Sequence, residues 1–175
     1  MPLIAVCSLV LIPDTIARLK PWGLITLLDP ASMIATPDGI AATRHLKVGV
    51  NDINASAEGL VSPKEDHVAS VLEHGRQWDI ASPLLIHCWA GVSRSTASAF
   101  MIACQRNPDI APARFANAIR ALSPTATPNR LLTSIADDML GRGGAMVDAI
   151  DAIGRGADCW EGTPFEIPGV WNQSA

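Results

Sequence analysis

The segment at residues 83–100, PLLIHCWAGVSRSTASAF, constrains the fold of this chain more than any other. Its apolar start, residues 84–86, is typical of a buried strand, and the pattern from residue 95 or 96 onward is typical of a helix. A tight loop from Cys88 to Arg94 lies between them. In this arrangement the loop amides converge on one point, where the helix dipole adds positive potential. The segment therefore predicts a site for a phosphate-sized anion.

Two side chains of the loop add chemistry to that anion site. The positive potential that attracts an anion also favours the thiolate of Cys88, which is the nucleophilic form of a cysteine. Arg94 lies six positions after Cys88, and its planar guanidinium can fold back to hold two oxygens of the anion. The loop thus combines a nucleophile with an anion clamp.

Composition favours one domain without a general affinity for polyanions. The 175 residues are 49% hydrophobic, which is ample for a single core. A net charge of −4 and a pI near 5.4 argue against nucleic-acid binding and against association with anionic membranes, because both need a basic face. Any selectivity for phosphate must therefore be local.

The spacing of the four cysteines indicates whether the chain is built to bind zinc or to form disulfides. Cys7, Cys88, Cys104 and Cys159 lie far apart without a CxxC pair, so we expect neither a zinc site nor a disulfide framework. No metal and no cofactor are predicted, and a reducing compartment, the cytoplasm, fits best. The apolar run at residues 3–12 resembles a signal-peptide core, but no basic residue precedes it and it ends too early to span a bilayer. We interpret it as a core strand.

Short apolar runs alternate with helical patterns along the chain. Strands are predicted at residues 3–8, 24–28, 45–50 and 84–86, and helices at 15–20, from 62, and at 96–106, 111–121, 129–140 and 145–153. This order is typical of an α/β domain with a small, mainly parallel central sheet of four to five strands flanked by helices. Residues 1–156 are assigned to that domain. Residues 157–175 are predicted to be an irregular C-terminal tail, either packed on the domain or flexible.

Residues 87–95, HCWAGVSRS, resemble the HCx5R[ST] loop of the cysteine-dependent protein tyrosine phosphatases. The small size and the spacing are most similar to the dual-specificity branch and its compact bacterial relatives. A histidine before the cysteine, a glycine within the loop and a serine after the arginine make a chance match improbable, below roughly one in a thousand on average residue usage. The resemblance implies the phosphatase-loop type of α/β fold over residues 4 to about 140.

The resemblance also implies a mechanism and a set of site residues. Cys88 would attack phosphorus and form a cysteinyl-phosphate, while Arg94 and the loop amides hold the phosphoryl oxygens. Ser95 would hydrogen-bond the sulfur and help it leave, and His87 would orient the loop from beneath, as a buried structural histidine also does. Substrate binding is assigned to the variable part of the loop: Trp89, Ala90, Gly91, Val92 and Ser93. A phosphorylated protein or a small aryl phosphate is the expected partner.

A departing alkoxide or phenolate needs a proton, so a carboxylic acid is expected on a neighbouring loop. Asp52 is the candidate, because it follows the third predicted strand and lies 36 positions before Cys88, a spacing comparable to that of the dual-specificity branch. It can also be interpreted as a turn aspartate. Asp38, in another turn, is the substitute, whereas Asp66 and Asp79 have the pattern of helix-surface residues.

A second, shorter match lies downstream of the loop. Arg120 followed by Pro128 and Asn129 resembles the arginine and the Pro-Asn pair of dual-specificity enzymes, in which the asparagine braces the loop. Asn129 can equally be a helix cap after a proline. Both interpretations are open.

Substrate preference and two alternative functions are left open by the sequence. Trp89, Ala90, Val92 and Ser93 fill positions that are basic in phosphoinositide phosphatases, which disfavours highly charged inositol phosphates. Trp89 either stacks on an aromatic leaving group or packs beside the loop. The alternatives to a phosphatase are a catalytically weak phosphoprotein-binding module and a rhodanese-like sulfurtransferase. Cys104 is either a buried structural cysteine or a disulfide partner of Cys88, and the oligomeric state is unknown.

Overall fold

The computed structural model describes residues 2–172, in which a five-stranded sheet is flanked by six helices. The strands are β1 (Leu3–Ser8), β2 (Gly23–Leu28), β3 (His45–Gly49), β4 (Leu84–Cys88) and β5 (Phe165–Pro168). The helices are α1 (Ile12–Leu19), α2 (Glu65–Gln77), α3 (Arg94–Arg106), α4 (Pro112–Leu122), α5 (Arg130–Met139) and α6 (Ala145–Ile153). The predicted α/β class is therefore confirmed.

The strand order across the sheet is β3-β2-β4-β1-β5. The first four strands are parallel to their neighbours, and β5 pairs antiparallel with β1 at the edge. The register of β1 and β4 places Cys7 beside His87 and Ser8 beside Cys88. The end of β1 is therefore a direct neighbour of the cysteine that the sequence singled out.

Helices cover both faces of the sheet. The central strands β2 and β4 are buried along their whole length, which explains why they form continuous apolar runs and not alternating ones. Ile12 and Ile16 of α1 pack on one face. The other face carries the larger core, which includes Val71, Phe100 and Phe115 of three different helices.

Cys104 lies in the buried part of α3, away from the loop that holds Cys88. It comes nine residues after Ser95, whose hydroxyl lies 3.1 Å from the Cys88 sulfur, so the helix rise of about 1.5 Å per residue places Cys104 about 13 Å along α3 from that contact. A disulfide needs Cα atoms closer than about 7 Å. Burial raises the pKa of the Cys104 thiol to about 12. Cys104 is thus a structural cysteine in this fold.

The interpretation of residues 157–175 as irregular is wrong for residues 165–168, which form β5. The prolines at 164 and 168 argue against a strand in the sequence, because proline cannot donate to a ladder. An edge strand tolerates them, since β5 pairs only with β1. We call residues 154–164, which join α6 to β5, the C-terminal strap. Residues 173–175 of the predicted tail lie outside the described residues.

The parallel strands bring several polar residues to one edge of the sheet. Ser8 and Cys88 end β1 and β4, Asp29 follows β2, and Asp52 follows β3 after a short loop. In open α/β sheets, ligands bind at the carboxyl ends of the strands. Within residues 2–172, no helix is both long and apolar enough to cross a membrane.

Candidate active site

Cys88 stands at the end of β4, immediately before the loop that leads into α3. Its side chain is 2% exposed, and its Sγ lies 3.1 Å from the hydroxyl of Ser95 in the first turn of α3. That hydroxyl can donate a hydrogen bond to a thiolate. The structure thus places Ser95 where the sequence analysis expected a partner for the sulfur.

The loop carbonyls are tied outward by three separate segments. The carbonyl of Trp89 accepts from the Leu9 amide at 3.1 Å, and that of Ala90 accepts from the Gly162 amide at 2.8 Å. The Val92 carbonyl accepts from the Thr127 amide at 2.9 Å, and the Ser93 carbonyl accepts from the Asn129 amide at 3.2 Å. The donors thus come from the residue after β1, from the C-terminal strap and from the turn before α5. Because a trans peptide is planar, an outward carbonyl turns the following amide inward.

The outward carbonyls of Trp89, Ala90 and Val92 turn the amides of residues 90, 91 and 93 inward, and we define the amides of residues 90–93 as the anion nest. Within residues 2–172, none of these four N–H groups donates a hydrogen bond to another protein group. Buried or half-buried amides without partners are rare in folded proteins, and a run of them on one loop is a binding site for an anion. Gly91 adopts a positive φ of 74°, and a Cβ there would lie 2.9 Å from the Cys7 carbonyl carbon. Only glycine fits this position.

Arg94 lines the same cleft as Cys88. Its side chain is 4% exposed, and its Nη1 donates to the Val50 carbonyl at 2.7 Å and to Asp29 Oδ1 at 3.1 Å. Its Nε is buried without a hydrogen-bond partner among residues 2–172. One edge of the guanidinium is therefore anchored, while the Nε side is left for a ligand oxygen.

Asp52 lies across the cleft from Cys88, on the loop after β3. Its Oδ1 accepts from Ser93 Oγ at 2.7 Å and from Asn129 Nδ2 at 3.0 Å, and its Oδ2 is 4.0 Å from Arg94 Nε. The carboxyl is 38% exposed, so it is held at the rim and is reachable from solvent. This position suits a group that exchanges a proton with a substrate or with water.

Asp29 is a site residue that the sequence analysis missed. Its Oδ1 accepts from Arg94 Nη1 and, at 2.9 Å, from Asn51 Nδ2. The pair with Asp29 fixes the rotation of the Arg94 guanidinium, because the charged hydrogen bond holds the Nη1 side. A polar residue directly after a strand of a parallel sheet was the signal that could have found it.

His87 belongs to a buried chain of four side chains beneath the loop. Its Nδ1 lies 3.2 Å from the Cys88 carbonyl, and its Nε2 lies 2.7 Å from Thr26 Oγ1. The same Thr26 hydroxyl lies 2.7 Å from His45 Nε2, and His45 Nδ1 lies 2.9 Å from Thr36 Oγ1. The chain connects the catalytic loop to β2 and β3.

Each hydrogen bond of this chain has one direction when both histidines are neutral. A carbonyl only accepts, so His87 Nδ1 donates to it, and Thr26 must donate to His87 Nε2. The Thr26 oxygen then accepts from His45 Nε2, which leaves His45 Nδ1 to accept from Thr36. Burial lowers the pKa of His87 to about 4 and that of His45 to about 4, which keeps both rings neutral. The chain therefore holds the loop by hydrogen bonds and supplies no proton at neutral pH.

We expect this neutral His87 to make stability depend on pH. An unfolded histidine titrates near pH 6.5, so between pH 6.5 and 4 the unfolded chain binds a proton that the folded chain does not. The stability that the neutral His87 contributes to the folded state is fully present above pH 6.5 and is lost as the pH falls through 6.5 toward 4. Urea unfolding should show the free-energy difference between the wild type and His87→Gln shrinking by about 2–3 kcal/mol from pH 7 to 4.5. If the difference in unfolding free energy between the two proteins were the same at both pH values, this prediction would be wrong.

Asn129 combines the two interpretations that the sequence left open. Its side chain accepts from the Leu132 amide as the cap of α5, and its Nδ2 also donates to Asp52 Oδ1 and to the Ile53 carbonyl. Arg120 donates to the carbonyls of Ile153, Ala126 and Gly154 and so holds the turn before α5. Both residues brace the loops around the cleft.

Asp38 lies away from the cleft, whereas Trp89 lines it. Asp38 is exposed in a turn beside α1 and does not line the cleft. The Trp89 side chain is 58% exposed and lines the cleft, which does not fit the interpretation that it packs beside the loop. An exposed indole at the rim is available to stack on a flat group.

The cleft has a volume of about 440 Å³. Its lining residues come from the segments that follow β2 and β3, from the end of β4 and from the loop: Asp29, Ser32, Asp52, Cys88, Trp89, Ala90, Val92, Ser93 and Arg94. In the part of the chain that the structure describes, no group of three or more histidine, cysteine, aspartate or glutamate side chains is placed to hold a metal ion. The chemistry available here is that of a thiol, an arginine, two carboxyls and free amides.

No protein-family model and no curated protein matches this sequence, but solved structures do. Human DUSP28 matches with a TM-score of 0.54 at 17% identity, covering 74% of this chain and 80% of its own. PTPMT1 matches with a TM-score of 0.55 at 14% identity, covering 79% and 92%. The Orf virus tyrosine phosphatase OH1 matches with a TM-score of 0.52 at 20% identity, covering 77% and 80%. The chain therefore has the fold of dual-specificity and tyrosine phosphatases.

Proposed function

We propose that this protein is a phosphomonoester hydrolase of the tyrosine and dual-specificity phosphatase type. The observation that carries the proposal is the nest of four unpartnered amides at residues 90–93, with the sulfur of Cys88 at its base and the free Nε of Arg94 at its side. Such a nest binds the three non-bridging oxygens of a phosphoryl group. No metal is required by this arrangement.

In the first step the Cys88 thiolate attacks phosphorus. An S–P bond forms, the P–O ester bond breaks, and the leaving oxygen takes the proton of the Asp52 carboxyl. The loop amides and Arg94 stabilise charge on the equatorial oxygens, which is the main contribution a protein makes to phosphoryl transfer.

In the second step water attacks the cysteinyl-phosphate. An O–P bond forms, the S–P bond breaks, and the Asp52 carboxylate takes a proton from the water. Inorganic phosphate leaves, while Cys88 returns to the thiolate and Asp52 to the acid. The Ser95 hydroxyl, 3.1 Å from the sulfur, stabilises the departing thiolate by donating a hydrogen bond. The cycle needs a reduced Cys88, as in the reducing compartment expected from the cysteine spacing.

The substrate we propose is an aryl phosphate or a phosphorylated protein. Trp89 at the rim offers a face for an aromatic leaving group. Two carboxyls, Asp29 and Asp52, flank the single guanidinium of Arg94, and this rim repels further phosphate groups on a substrate. PTPMT1 has been solved in complex with PI(5)P, but the acidic rim here favours substrates with one phosphate. Assignment to the compact bacterial relatives of the dual-specificity branch stays a prediction.

Two alternatives from the sequence analysis are weaker. A binding module with slow catalysis would need the nest and Arg94 but no acid, whereas Asp52 stands at the rim with defined hydrogen bonds. A rhodanese-like sulfurtransferase would use the cysteine but has no need of Ser95 beside the sulfur.

The purified protein is expected to hydrolyse p-nitrophenyl phosphate, with orthovanadate as a competitive inhibitor. Orthovanadate copies the charge and geometry of a phosphoryl group in transfer, so it should occupy the amide nest. Steady-state kinetics at several vanadate concentrations measure this, and transfer of sulfur from thiosulfate to cyanide is assayed beside it. Sulfur transfer without phosphate hydrolysis would overturn the proposal in favour of the sulfurtransferase.

A further inference from the structure

Most of the C-terminal strap, residues 157–164, lies outside the segment that the sequence assigns to the phosphatase-like domain, yet it touches the Cys88–Arg94 loop. The strap leaves the end of α6 at Gly154 and enters β5 at Phe165. Near its end the amide of Gly162 donates to the Ala90 carbonyl at 2.8 Å. We propose that Gly162 is a positioning residue of the active site, which sets the direction of one amide in the anion nest.

Peptide geometry connects the strap to the nest. The carbonyl of Ala90 and the amide of Gly91 belong to one planar trans unit and point in opposite directions. The bond from Gly162 holds the carbonyl away from the cleft, so the Gly91 amide is held toward it. Within residues 2–172 the Gly91 amide has no protein acceptor. Gly162 therefore acts on the ligand through the Ala90–Gly91 peptide and does not touch the ligand itself.

The fit at Gly162 requires the absence of a side chain. A Cβ at this position would lie 2.9 Å from the Gly91 carbonyl oxygen, 2.9 Å from Val92 Cγ2 and 3.1 Å from the Ala90 carbonyl oxygen. These atoms belong to the loop backbone and to a rim side chain, so the loop itself would have to move to accept a methyl group. The contact, and not an unusual backbone angle, is what calls for glycine here.

The strap is fastened on both sides of Gly162. Glu161 accepts a hydrogen bond from the hydroxyl of Ser8. Ser8 is the residue of β1 that lies beside Cys88 in the sheet. Thr163 donates its amide to Thr125 Oγ1 at 3.0 Å and accepts from Ser123 Oγ at 2.8 Å. The Gly162 amide is thus held between fixed neighbours, which is the condition for preorganised electrostatic stabilisation.

The nest is supported differently at its two ends. The Val92 and Ser93 carbonyls accept from the turn before α5, which contains Thr127 and Asn129. The strap also supports that turn, because the Ala157 amide donates to the Pro124 carbonyl at 2.9 Å. Ala157 thus acts on the loop through that turn, whereas Gly162 contacts the loop directly. The proposal rests on the proposed function, since it assigns a role within the same anion site.

Gly162→Ala is the first test. We expect kcat/KM for p-nitrophenyl phosphate to fall at least about tenfold and the inhibition constant of orthovanadate to rise at least about tenfold. Circular dichroism and thermal unfolding are recorded to identify the folded protein. A folded Gly162→Ala protein with both constants within twofold of the wild type would overturn the inference.

The second test removes only the hydrogen bond and does not depend on how Gly162→Ala folds. Cys159 is a natural ligation site, so residues 1–158 can be joined to a synthetic 159–175 peptide in which an ester replaces the Gly162 amide. The ester has no N–H and places an oxygen opposite the Ala90 carbonyl, and we expect the orthovanadate inhibition constant to rise at least about tenfold. The control chain carries the ester at the Trp160 amide, which donates no hydrogen bond within residues 2–172.

The outcomes separate the inference from the function on which it rests. If the ligated all-amide chain neither hydrolyses p-nitrophenyl phosphate nor binds orthovanadate, the proposed function fails. If that chain is active and the Gly162 ester matches it in vanadate inhibition, with only the unfolding temperature lowered, the strap is merely structural and the inference fails. A rise in the inhibition constant confined to the Gly162 ester supports the inference.

Discussion

Cys88→Ser is expected to lower kcat/KM for p-nitrophenyl phosphate by about 10⁴-fold or more. A serine hydroxyl is a weak nucleophile without a base, and within residues 2–172 no histidine hydrogen-bonds to the Cys88 sulfur. The His87 ring contacts Thr26 and the Cys88 carbonyl. The amides and Arg94 are unaltered by the change. Binding of orthovanadate, measured by calorimetry, should therefore persist while turnover is lost.

The matched control is Cys159→Ser, in which oxygen likewise replaces the sulfur, but in an exposed cysteine. We expect its kcat/KM to stay within twofold of the wild type. Comparable hydrolysis by the Cys88→Ser and wild-type proteins would show that the cysteine is not the nucleophile. Loss of vanadate binding together with turnover would point to a collapsed loop, which thermal unfolding would reveal.

Asp52→Asn is expected to lower kcat by about 10²–10³-fold for phenyl phosphate and for a phosphotyrosine peptide. The asparagine keeps an oxygen that can accept from Ser93 and Asn129, so the loop geometry is preserved while the transferable proton is lost. The defect should be smaller for p-nitrophenyl phosphate, because nitrophenolate leaves more easily without a proton. Comparing kcat for the two aryl substrates measures this difference.

Asp38→Asn serves as the control for the acid, since Asp38 is exposed beside α1 and does not line the cleft. Its kcat is expected to equal that of the wild type with every substrate. Should Asp38→Asn be slow and Asp52→Asn be active, the acid would be misassigned. An Asp52→Asn defect of equal size for good and poor leaving groups would mean that Asp52 positions the loop and does not protonate the leaving group.

The strand–loop–helix unit could be predicted because its determinants are contiguous. The apolar run of β4, Cys88, the small loop residues and the start of α3 are neighbours in the chain, and local backbone sterics and dipoles act between neighbours. The same is true of the alternating order of strands and helices, which determined the α/β class. Among the predicted elements only the boundaries shifted, as when β4 extends to Cys88 and α3 begins at Arg94, whereas β5 was not predicted.

The supporting residues of the site could not be found in this way. Asp29 meets Arg94 across 65 positions of the chain, and His87 reaches Thr26 across 61. Both contacts depend on which strands become neighbours in the sheet and in what register. A residue pattern along one strand does not contain that information.

The sequence by itself determined which chemical groups stand together in one short loop between residues 83 and 100: a thiol, an arginine and a glycine-containing turn before a helix. Only the tertiary structure decided how that loop is held. Leu9, Gly162 and the turn before α5 tie its carbonyls outward, and β5 reaches β1 despite a proline-flanked sequence. The physical reason is that a loop can orient its own amides only when other segments satisfy its carbonyls, and those segments are distant in the chain.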